Sequence, residues 1–180
     1  MRTKVKKWLW AWQFDEEEAW LNEMAQKGKV LVGYRLGTYE FEDCEPGEYT
    51  VRLEMLEEWP TSEKSQDYIR FVEDTGAEMV GKILKWVYFR KKTKDGPFEL
   101  HGNYAARIKH LRSIITLLAP LMILNIFIGF YNLFIGITFS SIINIICGIV
   151  NCAVAVLLVG GLRKLNQKKK QMEKDAQLFE

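Results

Sequence analysis

The chain has 180 residues, of which 27% are charged, and its formal net charge is +2. The charge is unevenly spread, because residues 113–162 form a run of 50 positions without Asp, Glu, Lys, Arg or His. A spanning helix needs only about 20 apolar residues, so such a run excludes an ordinary soluble enzyme, a disordered chain and a secreted disulfide scaffold.

Alternating aromatic residues characterise the N-terminal segment. Hydropathy alternates over residues 3–13, which predicts a strand with three tryptophans on one face. These are Trp8, Trp10 and Trp12. This face either lies on the open side of a sheet, joined by Trp86 and Tyr88, or is buried as core, and the sequence leaves both alternatives open. An exposed aromatic surface of this kind would indicate contact with a partner, a ligand or the membrane.

The rest of the first hundred residues has α+β patterning. Capping and turn residues predict two helices, at 15–28 and 60–76. Extended segments are predicted at 30–42, 49–56 and 77–90, the last as one bent strand or a tight hairpin. The order β-α-β-β-α-β, with room for one additional strand, is the ferredoxin-like plan, in which two helices cover one face of an antiparallel sheet. We therefore expect residues 1–100 to form a ferredoxin-like α+β cytoplasmic domain.

The uncharged run is long enough for a two-helix transmembrane hairpin. A single helix of this length would extend about 75 Å, against a hydrocarbon core of about 30 Å. We predict spans at about 113–135 and 141–162, between a basic juxtamembrane helix at 101–112 and a charged tail at 163–180. The flanking basic residues are Arg107, Lys109, Arg112, Arg163 and Lys164. They predict a multi-pass protein of the cell membrane with both termini in the cytoplasm.

Polar and small residues recur at helical spacing within both predicted spans. They are Asn125, Gly129, Asn132 and Gly136 in the first span, and Ser141, Asn144, Gly148 and Asn151 in the second. If the chain turns near Thr138, Asn132 should meet Asn144, and Asn125 should meet Asn151. Amide hydrogen bonds and close packing of small residues would then hold the hairpin together. A packing seam is favoured over an ion pathway, because the pattern contains no ionisable residue.

The sequence contains no recognisable catalytic or cofactor-binding motif. The patterns GxSxG, GxxxxGK[ST], GxGxxG and HExxH are absent. His101 and His110 are nine positions apart and would not share a helix face, and the three cysteines have no metal-ligand or disulfide spacing. The run Glu16–Glu18 is explained by the preference for negative charge at a helix N-terminus and by solvation. We expect no catalytic residue, no cofactor and no metal, and we interpret the protein as not an enzyme.

Several residue combinations in the first hundred positions resemble a bacterial family of membrane proteins with a domain of unknown function. They are Trp12-x-Phe14, Trp20-Leu21-Asn22-x-Met24-Ala25-x-x-Gly28, Tyr39-x-Phe41, Pro46-Gly47-x-Tyr49 and Trp86-x-Tyr88-Phe89-Arg90-Lys91. The resemblance implies an origin mainly in Firmicutes, a domain placed before hydrophobic helices, and a gene often encoded beside a PadR-type transcriptional regulator. It implies no activity and no catalytic residues.

Three functional hypotheses follow from the sequence. The first is a membrane-anchored, non-enzymatic sensor or regulatory protein that binds a partner protein or small ligand, with the bilayer and a protein partner or second copy as its contacts. Nucleic acid is not expected, because residues 1–100 carry 16 basic and 20 acidic residues. The alternative is an accessory subunit of a transporter or exporter, with Asn125 and Asn151 facing a larger membrane protein. The third is a small membrane enzyme.

Overall fold

A computed structural model describes residues 2–101 and 104–179 of the chain. The chain divides into two compact units, Met1–Gly102 and Asn103–Glu180. The first unit contains the sheets and two helices, and the second consists of two long helices. The predicted juxtamembrane segment 101–112 includes two residues, Gly102 and Asn103, that lie outside the described part of the chain.

The described part of the first unit contains six strands and two α-helices. In chain order they are β1 (Arg2–Lys6), α1 (Phe14–Gln26), β2 (Lys29–Arg35), β3 (Thr38–Asp43), β4 (Tyr49–Met55), α2 (Glu63–Asp74), β5 (Ala77–Ile83) and β6 (Trp86–Lys92). Helix α1 carries three acidic residues in its first turn, and the Ser62 side chain accepts a hydrogen bond from the Ser65 N–H at the start of α2. Both features favour helix initiation at these positions.

The strands form two antiparallel sheets of three strands each. Their orders are β1-β3-β2 and β4-β6-β5. Strands β2 and β5 lie alongside each other, and the backbone nitrogen of Tyr34 is 3.2 Å from the place where a Cβ on Gly81 would lie. A larger residue at Gly81 would therefore push the two sheets apart. The Arg90 guanidinium also bridges them, donating to the Leu31 carbonyl oxygen at 3.4 Å.

The two sheets are built from two copies of the same β-α-β-β unit. Identical residues 48 positions apart mark the copies, among them Gly28 and Gly76, Gly33 and Gly81, Leu36 and Leu84, Phe41 and Phe89. The first pair follows the helix, the second lies at a β-bulge, the third turns the hairpin and the fourth is buried. We call residues 2–43 the first half and residues 49–92 the second half.

The predicted ferredoxin-like plan is realised only in part. Strands β1, β2 and β3 with α1 follow its β-α-β-β order, but β4 begins the second half, which has its own sheet. The extended segment predicted at 30–42 is a hairpin, the segment at 77–90 is the tight hairpin that was one of its two predicted forms, and the predicted strand at 3–13 ends at Lys6. The exact ferredoxin-like topology is therefore not confirmed, and the first unit is an α/β fold with two three-stranded sheets.

The two helices cover the sheets unequally. Helix α1 packs against β2 and also against β4, so it contacts both sheets. Helix α2 packs on the second sheet, where Ile69 and Val72 join Val87 and Phe89 in one apolar cluster. The central strand of the second sheet, β6, is consequently buried on both faces, and Trp86 to Phe89 are four consecutive buried residues. The first sheet has an exposed face that carries ion pairs such as Lys4 to Glu40, at 2.7 Å.

The second unit is an antiparallel pair of helices, α3 (Tyr104–Thr138) and α4 (Ile142–Phe179). By length and composition, both helices could span a membrane. Ser140 turns the chain between them with a positive φ of 50°. The predicted spans lie within these helices, and α4 continues through the predicted charged tail.

Candidate functional site

Three tryptophans near the N-terminus form a partly exposed cluster, which we call the tryptophan surface. It consists of Trp8, Trp10 and Trp12. Trp8 is 64% exposed and Trp10 is 42% exposed. The Trp10 and Trp12 rings stack with centroids 5.2 Å apart, and Trp8 meets Trp10 edge to face at 6.0 Å. Of the two alternatives that the sequence leaves, an exposed tryptophan face or a buried one, the structure has the exposed face. The three residues lie beyond the end of β1, however, and not on a strand.

The β2–β3 hairpin supports the tryptophan surface. The Lys7 N–H donates to the Gly37 carbonyl oxygen at 3.0 Å. The Trp8 ring lies 3.2 Å from the place where a Cβ on Gly37 would lie, and Gly37 has a left-handed φ of 74°. Glycine is thus required for both the turn and the ring contact. Leu36, the neighbour of Gly37, is 70% exposed and extends the apolar area of the hairpin turn.

Trp86 and Tyr88 do not belong to this exposed surface. Trp86 is 9% exposed and its ring packs 5.7 Å from that of Phe14, measured between centroids. Tyr88 is 2% exposed. The expectation that both residues join the tryptophans does not hold, because β6 is a central strand whose residues from Trp86 to Phe89 are buried on both faces.

A buried carboxylate links the two halves of the first unit. Glu17 on α1 is 7% exposed, and its Oε1 accepts hydrogen bonds from the hydroxyls of Tyr39 and Tyr88, both at 2.7 Å. Tyr39 belongs to the first sheet and Tyr88 to the second. The Tyr34 ring contacts both tyrosine rings, with centroids 4.7 and 4.6 Å away. We call these four residues the tyrosine–glutamate centre.

Burial changes the titration of the tyrosine–glutamate centre. Desolvation raises the pKa of Glu17, and the two tyrosine hydrogen bonds and the charge of Lys7 oppose that rise. The pKa values of Tyr39 and Tyr88 are raised mainly by burial and further by the adjacent carboxylate. The centre is closed and hydrogen-bonded, which is typical of a structural polar cluster.

The explanation of Glu17 by solvation at a helix N-terminus is wrong, because its side chain is buried. Glu17, Leu21 and Ala25 are spaced four residues apart and are all buried, so they form one inward face of α1. That periodicity was the available signal. The run of three glutamates obscured it, because a charged run usually indicates a solvated face.

Helix α1 also caps the edge strand of the second sheet. Asn22 accepts from the Val51 N–H and donates to the Val51 carbonyl oxygen, each at 2.9 Å. Glu18 accepts from the Leu53 N–H at 2.9 Å and forms an ion pair with Arg52 at 3.1 Å. Despite this pair, burial raises the pKa of Glu18. These side chains replace a neighbouring strand for β4.

A second buried carboxylate, Glu54, lies on β4. It is 6% exposed, and one of its oxygens is 3.0 Å from Nε2 of His101, an ion pair when the histidine is protonated. Burial and the nearby charge of Glu54 raise the pKa of Tyr68. The contact connects the last described residue of the first unit to its second sheet.

Close contacts at glycines define the seam between α3 and α4. A Cβ on Gly129 would lie 2.8 Å from Cys152 Sγ, and one on Gly148 would lie 2.9 Å from the Leu133 backbone nitrogen. Gly136 lies inside α3, where a Cβ would be 2.8 Å from the Ile145 backbone nitrogen. Among the predicted seam residues these three glycines are buried, and the other five are partly exposed.

The predicted asparagine pairs are not formed. The Nδ2 atoms of Asn125, Asn132 and Asn151 each donate to the carbonyl oxygen four residues earlier in the same helix, at 2.8, 2.9 and 2.8 Å. Asn144 donates to the Ser141 hydroxyl at 2.9 Å. The turn lies later than predicted, because Gly136 packs in the seam instead of ending α3, and this shifts the register between the helices.

The basic residues predicted to orient the hairpin are all exposed. They are Arg107, Lys109 and Arg112 on α3, and Arg163 and Lys164 on α4. Since the two helices are antiparallel, the start of α3 and the distal part of α4 lie at the same end of the pair. One end of the hairpin is therefore basic, and the turn at its other end is uncharged.

The chain thus combines an α/β unit that bears an exposed aromatic surface with two potential transmembrane helices. It belongs to the family described as "Protein of unknown function (DUF2812)", whose model matches residues 13–123. The match covers most of the α/β unit and continues into α3, so the beginning of the first long helix is part of the family domain. No curated protein and no solved structure gave a match to the chain.

Proposed function

We propose that this protein is a membrane-anchored, non-enzymatic sensor or regulatory protein whose α/β unit binds a protein partner through the tryptophan surface. The observation that carries the proposal is the exposure of Trp8 and Trp10 on a folded unit attached to two membrane-capable helices. Tryptophan is the residue type most enriched among residues that dominate binding energy at protein interfaces. Its exposure on a folded surface therefore favours a partner that covers it.

The rigidity of this surface supports a binding role. The stacked rings and the contact of Trp8 with the Gly37 turn fix the tryptophans before a partner arrives. Pre-ordered side chains lose little conformational entropy on binding. A partner with an apolar pocket could therefore bind without reorganising the segment. The tyrosine–glutamate centre, being closed and hydrogen-bonded, supports a structural rather than a catalytic role for the buried Glu17.

The proposed setting is the cytoplasmic face of a bacterial membrane. The basic end of the hairpin supports an orientation with both chain termini in the cytoplasm, because Lys and Arg flanking a span are retained on that side. The resemblance noted from the sequence adds a Firmicutes origin and a neighbouring PadR-type regulator. In this setting the two helices form a multi-pass anchor, and binding at the tryptophan surface takes place beside the membrane.

Site-specific crosslinking in intact cells tests the proposal. A photoreactive phenylalanine analogue replaces Trp10 in the full chain, and a matched copy carries it at Phe71, another exposed aromatic position at 67% exposure. We expect one defined protein to be captured from position 10 and not from position 71. Binding of that purified protein should fall at least about tenfold for Trp8→Ala or Trp10→Ala. Equal capture at both positions, or unchanged binding by both variants, would contradict the proposal.

The orientation has its own test. Tags placed before Met1 and after Glu180 should become accessible to antibodies only after the cells are permeabilised. Labelling of either tag in unbroken cells would overturn the proposed orientation without affecting the crosslinking result.

A further inference from the structure

We propose that a second copy of this chain packs against one flank of the α3–α4 hairpin, forming a four-helix bundle within the membrane. The flank is defined by Asn125, Asn132, Asn144 and Asn151, and we call it the asparagine flank. This inference rests on the proposed membrane insertion of the hairpin. It goes beyond it by naming the partner of the hairpin and the residues that make the contact.

The seam glycines fix the direction in which each helix faces the other. The contacts of Gly129 with Cys152 and of Gly148 with Leu133 place these two glycines at the centre of the seam on α3 and α4. An α-helix turns by about 100° per residue. Asn125 and Asn132 are therefore rotated from Gly129 by about 40° and 60°, both in the same sense around α3. On α4, Asn144 and Asn151 are rotated from Gly148 by the same two angles and in the same sense along the chain.

Equal rotations bring all four asparagines to one side of the hairpin. Two effects decide on which flank a rotated residue lies. The chain of α4 runs in the opposite direction to that of α3, which reverses the sense of rotation seen from one end of the pair, and α4 also faces α3 from the opposite side. These two reversals cancel, so an equal rotation along each chain leads to the same flank. The opposite flank carries apolar residues, including Phe130 and Ile149, which are rotated by about 100° in the other sense from Gly129 and Gly148.

The asparagine side chains retain hydrogen-bonding capacity on this flank. The bonds from Asn125, Asn132 and Asn151 to their own helices are exposed and use only the nitrogen of each carboxamide. Within 104–179 no hydrogen bond to their carboxamide oxygens is present. Lipid tails offer no donor or acceptor, so polar side chains at this depth are stabilised by bonding across helices.

The depths of the asparagines favour a second copy as the occupant. In three contacts across the seam, Gly129 with Cys152, Gly136 with Ile145 and Leu133 with Gly148, the two residue numbers add up to 281. Asn132 is therefore level with position 149, which is two residues, or about 3 Å, from Asn151.

Two copies inserted in the same orientation are related by a twofold axis along the membrane normal, which preserves depth. With the asparagine flanks facing, α3 of one copy lies against α4 of the other. Asn132 of each copy then meets Asn151 of the other at nearly the same depth, and the dimer contains this pair twice. The hairpin is thus complementary to itself at this level, so no other protein is needed to satisfy the carboxamides of Asn132 and Asn151.

Disulfide crosslinking between two tagged full-length copies tests this arrangement in membranes. The background carries Cys44→Ser, Cys147→Ala and Cys152→Ala. One copy receives Ile128→Cys and the other Val154→Cys, which both lie on the asparagine flank and differ in depth by about one residue. The control pair is Phe130→Cys with Ile149→Cys on the opposite flank. We expect a mixed dimer after oxidation from the first pair and little or none from the control.

Removal of the carboxamides provides the second measurement. Asn132→Leu with Asn151→Leu should lower the crosslinked fraction, consistent with roughly ninefold weaker association, because each interhelical bond in a membrane contributes about a factor of three and the dimer contains two pairs. Phe130→Leu with Ile149→Leu should leave it unchanged. Tryptophan fluorescence checks that the α/β unit is still folded, since all six tryptophans lie within residues 8–86.

The possible failures are distinguishable. Absent or equal crosslinking on the two flanks, with the protein resistant to carbonate extraction, would overturn the second-copy proposal and leave membrane anchoring intact. Capture of a different membrane protein at position 128 would also overturn it and would favour an accessory subunit. Extraction of the folded protein by carbonate would overturn both the dimer and the proposed anchor.

Discussion

The first and second halves of the α/β unit place equivalent residues, 48 positions apart, in different surroundings. Lys4 on β1 is exposed and pairs with Glu40, whereas its equivalent Arg52 on β4 is half-buried and bonds to Glu18 and to the Phe98 carbonyl oxygen. The central strand of the first sheet alternates between buried and half-buried residues, and that of the second sheet is buried on both faces.

The two edge strands show what this difference means for stability. Strand β4 is capped by side chains of α1, which belongs to the other half. Strand β1 instead carries Arg2, Lys4 and Lys6, charges that discourage pairing with another strand. The first half thus supplies both a helix and an edge cap to the second. We infer that the duplicated plan folds as one cooperative unit, in which the second half depends on contacts from the first.

The largest expected effect comes from the equivalent phenylalanines. Phe41→Ala and Phe89→Ala should each lower the free energy of unfolding by about 3–5 kcal/mol, because both side chains are fully buried. Chemical denaturation of the full chain in detergent, followed by tryptophan fluorescence, measures this effect. A single transition is expected for both variants, with Phe71→Ala as an exposed control. Two separate transitions would show that the halves fold independently.

The next comparison is between Arg52 and Lys4. Arg52→Ala should lower the free energy of unfolding by about 1.5–3 kcal/mol, because it removes charge-assisted hydrogen bonds at a half-buried site. Lys4→Ala should change it by less than about 1 kcal/mol, since the pair with Glu40 is exposed. The same denaturation experiment measures both. If both variants lost a similar amount of unfolding free energy, the two edge strands would not differ in the strength of their polar contacts.

The edge cap gives a third matched pair, Asn22 on α1 and its equivalent Arg70 on α2. Asn22→Ala should lower the free energy of unfolding by about 1–2 kcal/mol, because the N–H and carbonyl of Val51 both lose their hydrogen bond to Asn22. Arg70→Ala should have an effect below about 0.5 kcal/mol, since Arg70 is exposed and pairs only with Asp67 across one helical turn. Hydrogen exchange at Val51 should rise in the first variant alone. Unchanged exchange there would exclude the cap.

The helices and their ends were predictable from the sequence, but the duplication was not recognised. Gly28 and Gly76 follow the two helices with positive φ, as glycine at a C-terminus predicts. The hairpin turns were harder to recognise, because Leu36 and Leu84 occupy left-handed conformations that leucine seldom adopts. When the turn at Leu36 is not recognised, the sequence of β2 and β3 looks like a single extended segment with an interruption.

The candidate sites show the same limit. The alternating hydropathy of residues 3–13 could not decide whether Trp8 and Trp10 are exposed. The alternation continues beyond Lys6, the last residue of β1, where it no longer corresponds to the two faces of a strand. The burial of Glu17 depends on Tyr88, which is 71 positions away, and local patterning does not contain such a contact. In the hairpin, periodicity identified the polar residues, but their depth depends on where the turn falls. A small error in the turn therefore changed every predicted pair.

The smallest expected effect concerns the pH dependence of the tyrosine–glutamate centre. Burial raises the pKa of Glu17 in the folded state above its ordinary value of 4.5. At a pH between the unfolded-state and folded-state pKa of Glu17, the folded state binds the proton more tightly than the unfolded state does. This contribution to stability is therefore complete below about pH 4.5 and is lost as the pH rises through the folded-state pKa.

Glu17→Gln removes this titration while keeping an oxygen that can accept from Tyr39 and Tyr88. The difference in unfolding free energy between the natural chain and the variant should therefore shift in favour of the variant as the pH rises from 4 to 7. The expected shift is about 1.4 kcal/mol for each unit by which the pKa is raised. Ser65→Ala, at the equivalent position of α2, should show no such pH dependence. A difference that shifts in the opposite direction would mean that the two hydroxyls stabilise the carboxylate more than burial destabilises it.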